Sequence, residues 1–217
     1  VTSPGLLPET DSTVFVVDDD QEVRTGLQQL LTAIGLPVQT FSSAQSFLDA
    51  IDTSQPGCVV TDIRMPGMTG IELQKELRER NVRLPVIVIT AHGDVSFAVE
   101  AFHGGAIDFL QKPYRPQHMI SRIREALARD QARRALEREL KGTRTQMAAL
   151  TQRESEVMER LVEGKTTKEI ARDLGIGLST VDYHRGNVLT KLDVDNVVNL
   201  AVAVQKFREA ESQLDGQ

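Results

Sequence analysis

The 217-residue sequence predicts an α/β fold, a doubly wound parallel sheet, joined by a long helix to a separate all-α module of four helices. Three observations predict it. Short apolar runs alternate with amphipathic stretches of helical spacing between residues 13 and 110. A basic stretch without a helix breaker follows, from Pro116 to Leu140. Beyond Leu150 the pattern is helical throughout, with no strand-like run between the helices.

The first region reads as five strands at 14–17, 37–41, 58–61, 86–90 and 106–110, with helices at 22–34, 44–50, 71–80 and 97–103. Every gap between strands is long enough for a crossover helix, so the strands run parallel and helices cover both sheet faces. Asp20 reads as the cap of the first helix. The stretch from Pro116 carries Met119, Ile120, Ile123, Leu127 and Leu136 as its larger apolar members and reads as one helix ending at Gly142. A final sheet-covering helix followed by a charged linker is the alternative.

In the last region Thr151 and Glu154 form a capping box, in which the hydroxyl and the carboxylate each satisfy an orphan backbone N–H. That starts a helix to about Val162, ended by Gly164. Thr166 or Thr167 caps a second helix, Lys168 to Leu174, which Gly175 terminates. Ser179 opens a third helix to about Leu192, and Asp195 or Asn196 caps a last one to about Phe207. The short interval containing Gly175 and Gly177 is the tight turn of a helix-turn-helix. The expected organisation is a disordered lead-in at 1–11, an α/β domain at 12–130, a helical linker at 131–146, a helix-turn-helix domain at 147–210 and a disordered tail at 211–217.

The formal net charge is −6, an odd balance for a nucleic-acid binder until it is divided along the chain. Residues 1–114 hold 15 acidic and 7 basic side chains, 115–145 hold 4 and 9, and 146–217 hold 12 and 9. The acid sits in the front region and the connector is basic. The last region is slightly acidic, which predicts weak monomeric affinity for DNA and a need for dimerisation. No apolar run approaches the ~20 residues of a membrane span, and no secretory-signal pattern opens the text. With one cysteine, Cys58, there is no disulfide framework, and a reducing cytoplasmic setting is expected. The text lacks GxGxxG and Walker motifs, a nucleophile–histidine arrangement and metal-spaced histidines, so an enzyme is not expected.

In a parallel sheet, ligand sites lie outside the carboxyl ends of the strands. Asp18 and Asp19 follow the first strand, Asp62 ends the third, Thr90 ends the fourth, and Lys112 with Pro113 follows the fifth. Clustered oxygen donors of this kind suit Mg²⁺. Lys112 is a mobile point charge suited to phosphate, and Thr90 can donate to a phosphoryl oxygen.

The segments VFVVDDD, TDIRMPGMTGIEL, VIVITAHGD and GAIDFLQKP, in that order and spacing, resemble the receiver family of two-component response regulators over about residues 13–130. The resemblance implies that Asp62 is the phosphoacceptor for a sensor histidine kinase. It implies that Asp18, Asp19 and the Arg64 carbonyl join Asp62 around Mg²⁺ or Mn²⁺. Thr90 and Lys112 become the phosphate-contacting residues, and Phe109 the aromatic that turns inward on activation. Partner preference then changes on the surface of the 97–103 helix, the fifth strand and the helix from Pro116. Arg64 and His92 occupy positions that influence phosphoryl lifetime, and Pro113 follows a cis bond.

The segment LTQRESEVMERLVEGKTTKEIARDLGIGLSTVDYHRGNVLTKL resembles the LuxR-type DNA-binding domain over about residues 150–208, and the whole chain resembles the FixJ-like branch. The resemblance makes Ser179 to Lys191 the recognition helix. Ser179 opens its DNA-contacting face, Thr180, Asp182, Tyr183 and Arg185 lie at or near base edges, and Lys168, His184 and Lys191 at the DNA backbone. It implies a palindromic duplex site, a homodimer through the last helix, and RNA polymerase as a further partner. Three residues depart from the pattern: Gly186 costs about 1 kcal/mol of helix propensity, Asp193 replaces a glycine, and Asp182 places an acid near DNA.

Overall fold

The computed structural model describes residues 12–91 and 107–215. The lead-in 1–11, His92 and the expected helix at 97–103 lie outside the described residues. The chain divides into two compact units, residues 1–133 and 134–217.

The first unit is built on strands β1 (Thr13–Val17), β2 (Val38–Phe41), β3 (Gly57–Asp62), β4 (Val86–Thr90) and β5 (Asp108–Gln111). All pairings are parallel, in the order β2-β1-β3-β4-β5. Alternation along the strands divides the core. Phe15, Val17, Val59 and Val88 face one side, against Phe47 of α2 (Ala44–Ala50) and Leu73 and Leu77 of α3 (Gly70–Glu79). Val14, Val16, Val60, Ile87 and Ile89 face the other, against Leu27 and Leu31 of α1 (Gln21–Thr32) and Met119 and Ile123 of α4 (Pro116–Ala148). Each such fully buried side chain contributes about 1.5–3 kcal/mol. Helices on both faces explain why β1, β3 and β4 are buried along their whole length.

Local signals explain the helix starts. Asp20 caps α1 by accepting from Glu22 N at 2.8 Å, and Thr69 with Glu72 makes a capping box on α3. The observed β5 begins at Asp108, two residues later than expected.

Gly142 does not end the connector. The 33-residue α4 continues to Ala148, because a glycine in αR geometry weakens a helix without stopping it. Around it, Thr143 and Thr145 donate to the carbonyls of Glu139 and Lys141, and Arg144 pairs with Glu211. In the first unit α4 is tied down by Asp130, 1% exposed, whose Oδ2 accepts from Gly57 N at 3.0 Å at the start of β3. Its other oxygen pairs with Arg133.

The second unit packs α5 (Gln152–Val162), α6 (Thr167–Leu174), α7 (Leu178–Lys191) and α8 (Val197–Asp215) around Val157, Leu161, Ile170, Val181, Val188, Leu200 and Val204. Thr151–Glu154 and Thr166–Glu169 are complete capping boxes, and Gly175 takes a left-handed φ of 66° at the end of α6. Two boundaries differ from expectation. α7 begins at Leu178 with Gly177 as N-cap, so Ser179 lies inside the first turn. Asn196 caps α8, accepting from Asn199 N at 2.9 Å, and the helix runs past Phe207 to Asp215, into residues expected to be a disordered tail.

Candidate functional site

The strand ends of the first unit gather the expected groups. Asp18 follows β1 and is 1% exposed, Asp62 ends β3 at 7%, and Thr90 ends β4 at 2%. Lys112, one residue past β5, places its Nζ 2.8 Å from Asp18 Oδ2 and 2.8 Å from Asp62 Oδ1. The backbone aims these side chains: Lys112 N donates to the Thr90 carbonyl at 2.7 Å, Asp20 N to Asp18 Oδ1 at 2.9 Å, and Arg64 N to Asp62 Oδ2 at 2.7 Å. The turn after Asp62 folds back so closely that a Cβ on Gly70 would stand 2.2 Å from the Asp62 carbonyl oxygen, so only glycine fits there. The Lys112–Pro113 bond is cis.

Two carboxylates share one ammonium, and the electrostatics follow from that ratio. Burial pushes the Asp18 carboxyl above its ordinary value, more than the hydrogen bond from Lys112 brings it down. Burial disfavours the Lys112 ammonium, but the hydrogen bonds to Asp18 and Asp62 outweigh it and hold its pKa up. The cluster thus sets two carboxyl groups against one ammonium.

Asp19 is exposed beside this pair, as is the Arg64 side chain. Phe109 is half-buried against the core on the α2–α3 side. Two neighbours escaped the sequence reading. Arg24 donates to the Asp18 carbonyl at 2.6 Å, tying α1 to the acidic loop. Tyr114 is half-buried, and burial pushes its phenol up while the charges of Lys112, Asp18 and Asp62 act on it. Its place directly after Lys112–Pro113 was the available signal.

In the second unit α7 presents Ser179, Thr180, Asp182 and Tyr183 as exposed side chains, Tyr183 at 65%. Arg185 and His184 are half-buried; His184 Nδ1 is buried without a hydrogen-bond partner among the described residues, and its ring meets Tyr183 edge-on at 5.5 Å. Lys168 is exposed near the start of α6, whereas Lys165 is held by Asp173 at 2.8 Å. Lys191 is committed within the unit: its Nζ donates to Glu154 Oε2 at 2.7 Å and to the Ala149 carbonyl at 3.1 Å. That bond, with the Thr151 backbone N–H, draws the Glu154 carboxyl down to about 2. The sequence reading missed this pair because Glu154 and Lys191 are 37 residues apart and each had a sufficient local role.

A doubly wound receiver sheet followed by a helix-turn-helix bundle defines a class, and comparison with known families agrees. Residues 14–124 match the family described as response regulator receiver domain, and residues 148–204 match bacterial regulatory proteins, luxR family. The chain belongs to the two-component response regulators that join a CheY-like receiver to a LuxR-type helix-turn-helix and regulate transcription. It is 43% identical to the transcriptional regulatory protein TdiR of Thauera aromatica, over 87% of this chain and 83% of that protein. It is 47% identical to the transcriptional regulatory protein FixJ of Azorhizobium caulinodans, over 86% of this chain and 89% of that protein. The solved response regulator StyR superposes with a TM-score of 0.85 at 42% identity, covering 90% of this chain and 98% of StyR.

Members of this family are regulators rather than metabolic enzymes, and membership implies a sensor kinase, a DNA target and dimerisation. No helix among the described residues is long and apolar enough to cross a membrane. Receiver domains generally use Mg²⁺ at the phospho-aspartate. Among the described residues no group of three His, Cys, Asp or Glu side chains converges. The converging pair Asp18 and Asp62 nevertheless fits, since Mg²⁺ is commonly bound through one or two carboxylates with water and phosphate.

Proposed function

We propose that the protein is a phosphorylation-dependent transcription factor whose Asp62 accepts a phosphoryl group from the histidine of a sensor kinase. The observation that carries this reading is the Lys112 ammonium standing 2.8 Å from one oxygen each of Asp18 and Asp62, where three strand ends meet. As Lys112 releases it, Oδ1 of Asp62 forms the new P–O bond while the donor's N–P bond breaks, and the electron pair of that bond returns to the imidazole. Asp18 and Asp62, with Asp19 and the Arg64 carbonyl, would hold Mg²⁺ or Mn²⁺, which when bound supplies positive charge against the carboxylates and the phosphoryl group. Lys112 then pairs with the phosphoryl oxygens, and Thr90 donates to one of them. Phe109, half-buried against the core on the α2–α3 side, turns inward as Thr90 moves toward the phosphoryl group.

The output follows on α7. Ser179, Thr180, Asp182, Tyr183 and Arg185 read base edges in the major groove, and Lys168 and His184 hold the backbone. Lys191 keeps one of its three N–H donors for a phosphate after its bonds to Glu154 and Ala149. Val198 and Val202, 72% and 48% exposed on α8, supply an apolar face for the dimer, so the target is a palindromic duplex and the dimer recruits RNA polymerase. The domain limits 12–130, 131–146 and 147–210 are part of this reading.

The test is phosphotransfer from a small-molecule phosphoramidate with Mg²⁺. Wild type acquires one acid-stable, base-labile acyl phosphate, and Asp62→Asn acquires none. Equal labelling of the variant contradicts the assignment.

A further inference from the structure

Glycines in this fold divide into those the chain needs and those it does not. Gly70 is required by backbone contact and Gly175 by its left-handed φ of 66°. Gly186, within α7, has neither reason. Its φ is not positive, and a Cβ built on it would meet nothing within 4 Å. It nevertheless carries the helix-propensity penalty of a glycine.

Its position on the helix is informative. Val181 and Val188 are the buried residues of α7, and Gly186 lies about 200° round the axis from Val188, with exposed Ser179, Tyr183 and Thr190 on neighbouring turns of the same side. Gly186 therefore occupies the middle of the outward face. α7 also starts at Gly177 with no side-chain cap, unlike α5 and α6 with their capping boxes. The helix expected to contact DNA is the one with least local reinforcement, and its mid-face gap serves no contact within the fold. The size of the groove makes such a gap matter: a helix with side chains is about 10–12 Å across, and the major groove is about 12 Å wide. One methyl on the groove side is then felt.

We infer that Gly186 is a specificity-determining position whose missing side chain lets α7 seat deeply enough in the major groove for Tyr183 and Ser179 to reach base edges. The inference rests on the DNA-binding reading above. Gly26 and Gly142 are helical and open in the same way; what singles out Gly186 is that its gap lies in the middle of the exposed face of the helix expected to contact DNA.

Gly186→Ala in the full-length protein tests it, because fold and binding should move in opposite directions. The probe is a duplex selected from a randomised pool by phosphorylated wild type, compared with an unselected duplex of equal length. Gly186→Ala is expected to raise the thermal midpoint of the C-terminal unit by about 4 °C. It should weaken binding to the selected duplex at least tenfold and leave the unselected duplex unaffected. Gly142→Ala, which also adds a methyl with nothing within 4 Å, should stabilise without changing either affinity. Undiminished binding of Gly186→Ala to the selected duplex overturns the inference while leaving the DNA reading intact. A wild-type protein that selects no duplex overturns that reading, and this inference with it.

Discussion

At the strand ends of the receiver, Asp18, Asp62 and Thr90 are 1%, 7% and 2% exposed, whereas on α7 Leu178 and Tyr183 are 48% and 65% exposed. On the proposed function, the first site desolvates charges so that one ammonium and one phosphoryl group can repolarise it. The second leaves its exposed face to water until a duplex displaces that water. The structural investment differs accordingly. Backbone hydrogen bonds from Asp20 and Arg64 and the contact at Gly70 hold the carboxylates in place. α7 is anchored on its inner side, by Val181, Val188, Leu189 and Leu192 and by the Lys191–Glu154 pair at its end. Chemistry by convergence is therefore rigid and compact, while reading by exposure sits on a lightly reinforced helix.

Lys112→Ala strikes the convergent site and carries the largest expected effect. Two nearly buried carboxylates lose their shared cation, which should cost the receiver about 3 kcal/mol at neutral pH and slow phosphoryl acceptance on the order of 10²-fold. The Asp18 carboxyl already lies above its ordinary value and would rise further. An acid raised in the folded state binds its proton more readily there, so stability is greatest below its unfolded pKa and is lost as pH rises through the folded one. Urea denaturation should accordingly show the variant recovering as pH falls toward 3.8, the ordinary aspartate value. A variant that loses as much at that pH as at pH 7 would separate the loss from carboxylate repulsion.

Glu154→Ala strikes the second unit through the pair between buried Glu154 and half-exposed Lys191, and should cost that unit about 1–2 kcal/mol, mostly from the lost cap. Glu154 titrates at about 2, so its contribution is present above the ordinary glutamate range near 4.5 and lost as pH falls from there toward 2. Calorimetry should show the C-terminal transition falling through that window in wild type, and already lowered and flatter in the variant. The receiver transition should not follow the substitution.

Asp130→Ala is comparable in size. It leaves Gly57 N without its buried acceptor and should lower the receiver by about 2 kcal/mol. Hydrogen exchange should show earlier opening of the α4 turns around Asp130, and no change in α5 to α8.

The same contrast explains how much was legible in the sequence. The five strands and the acidic cluster could be read because a parallel sheet sends its strand ends to one side, so residues 50 and 94 positions apart meet at Lys112 by topology alone. Capping boxes at Thr151 and Thr166 were local and equally plain. Less legible were features decided by tertiary packing. Gly142 looked like a stop, yet α4 runs through it, because a glycine without positive φ costs a helix about 1 kcal/mol and need not end it. α8 continues to Asp215, with Glu211 paired to Arg144, where composition alone suggested a tail. Lys191 carried an obvious charge for DNA, and only the fold reveals Glu154 opposite it.

The most direct test of the account measures affinity for a selected palindromic duplex before and after phosphoramidate treatment, in wild type and in Asp62→Asn. Phosphorylation is expected to tighten wild-type binding at least tenfold and to leave Asp62→Asn at the untreated wild-type level. Equal tightening of both proteins, or of neither, contradicts a switch seated at Asp62.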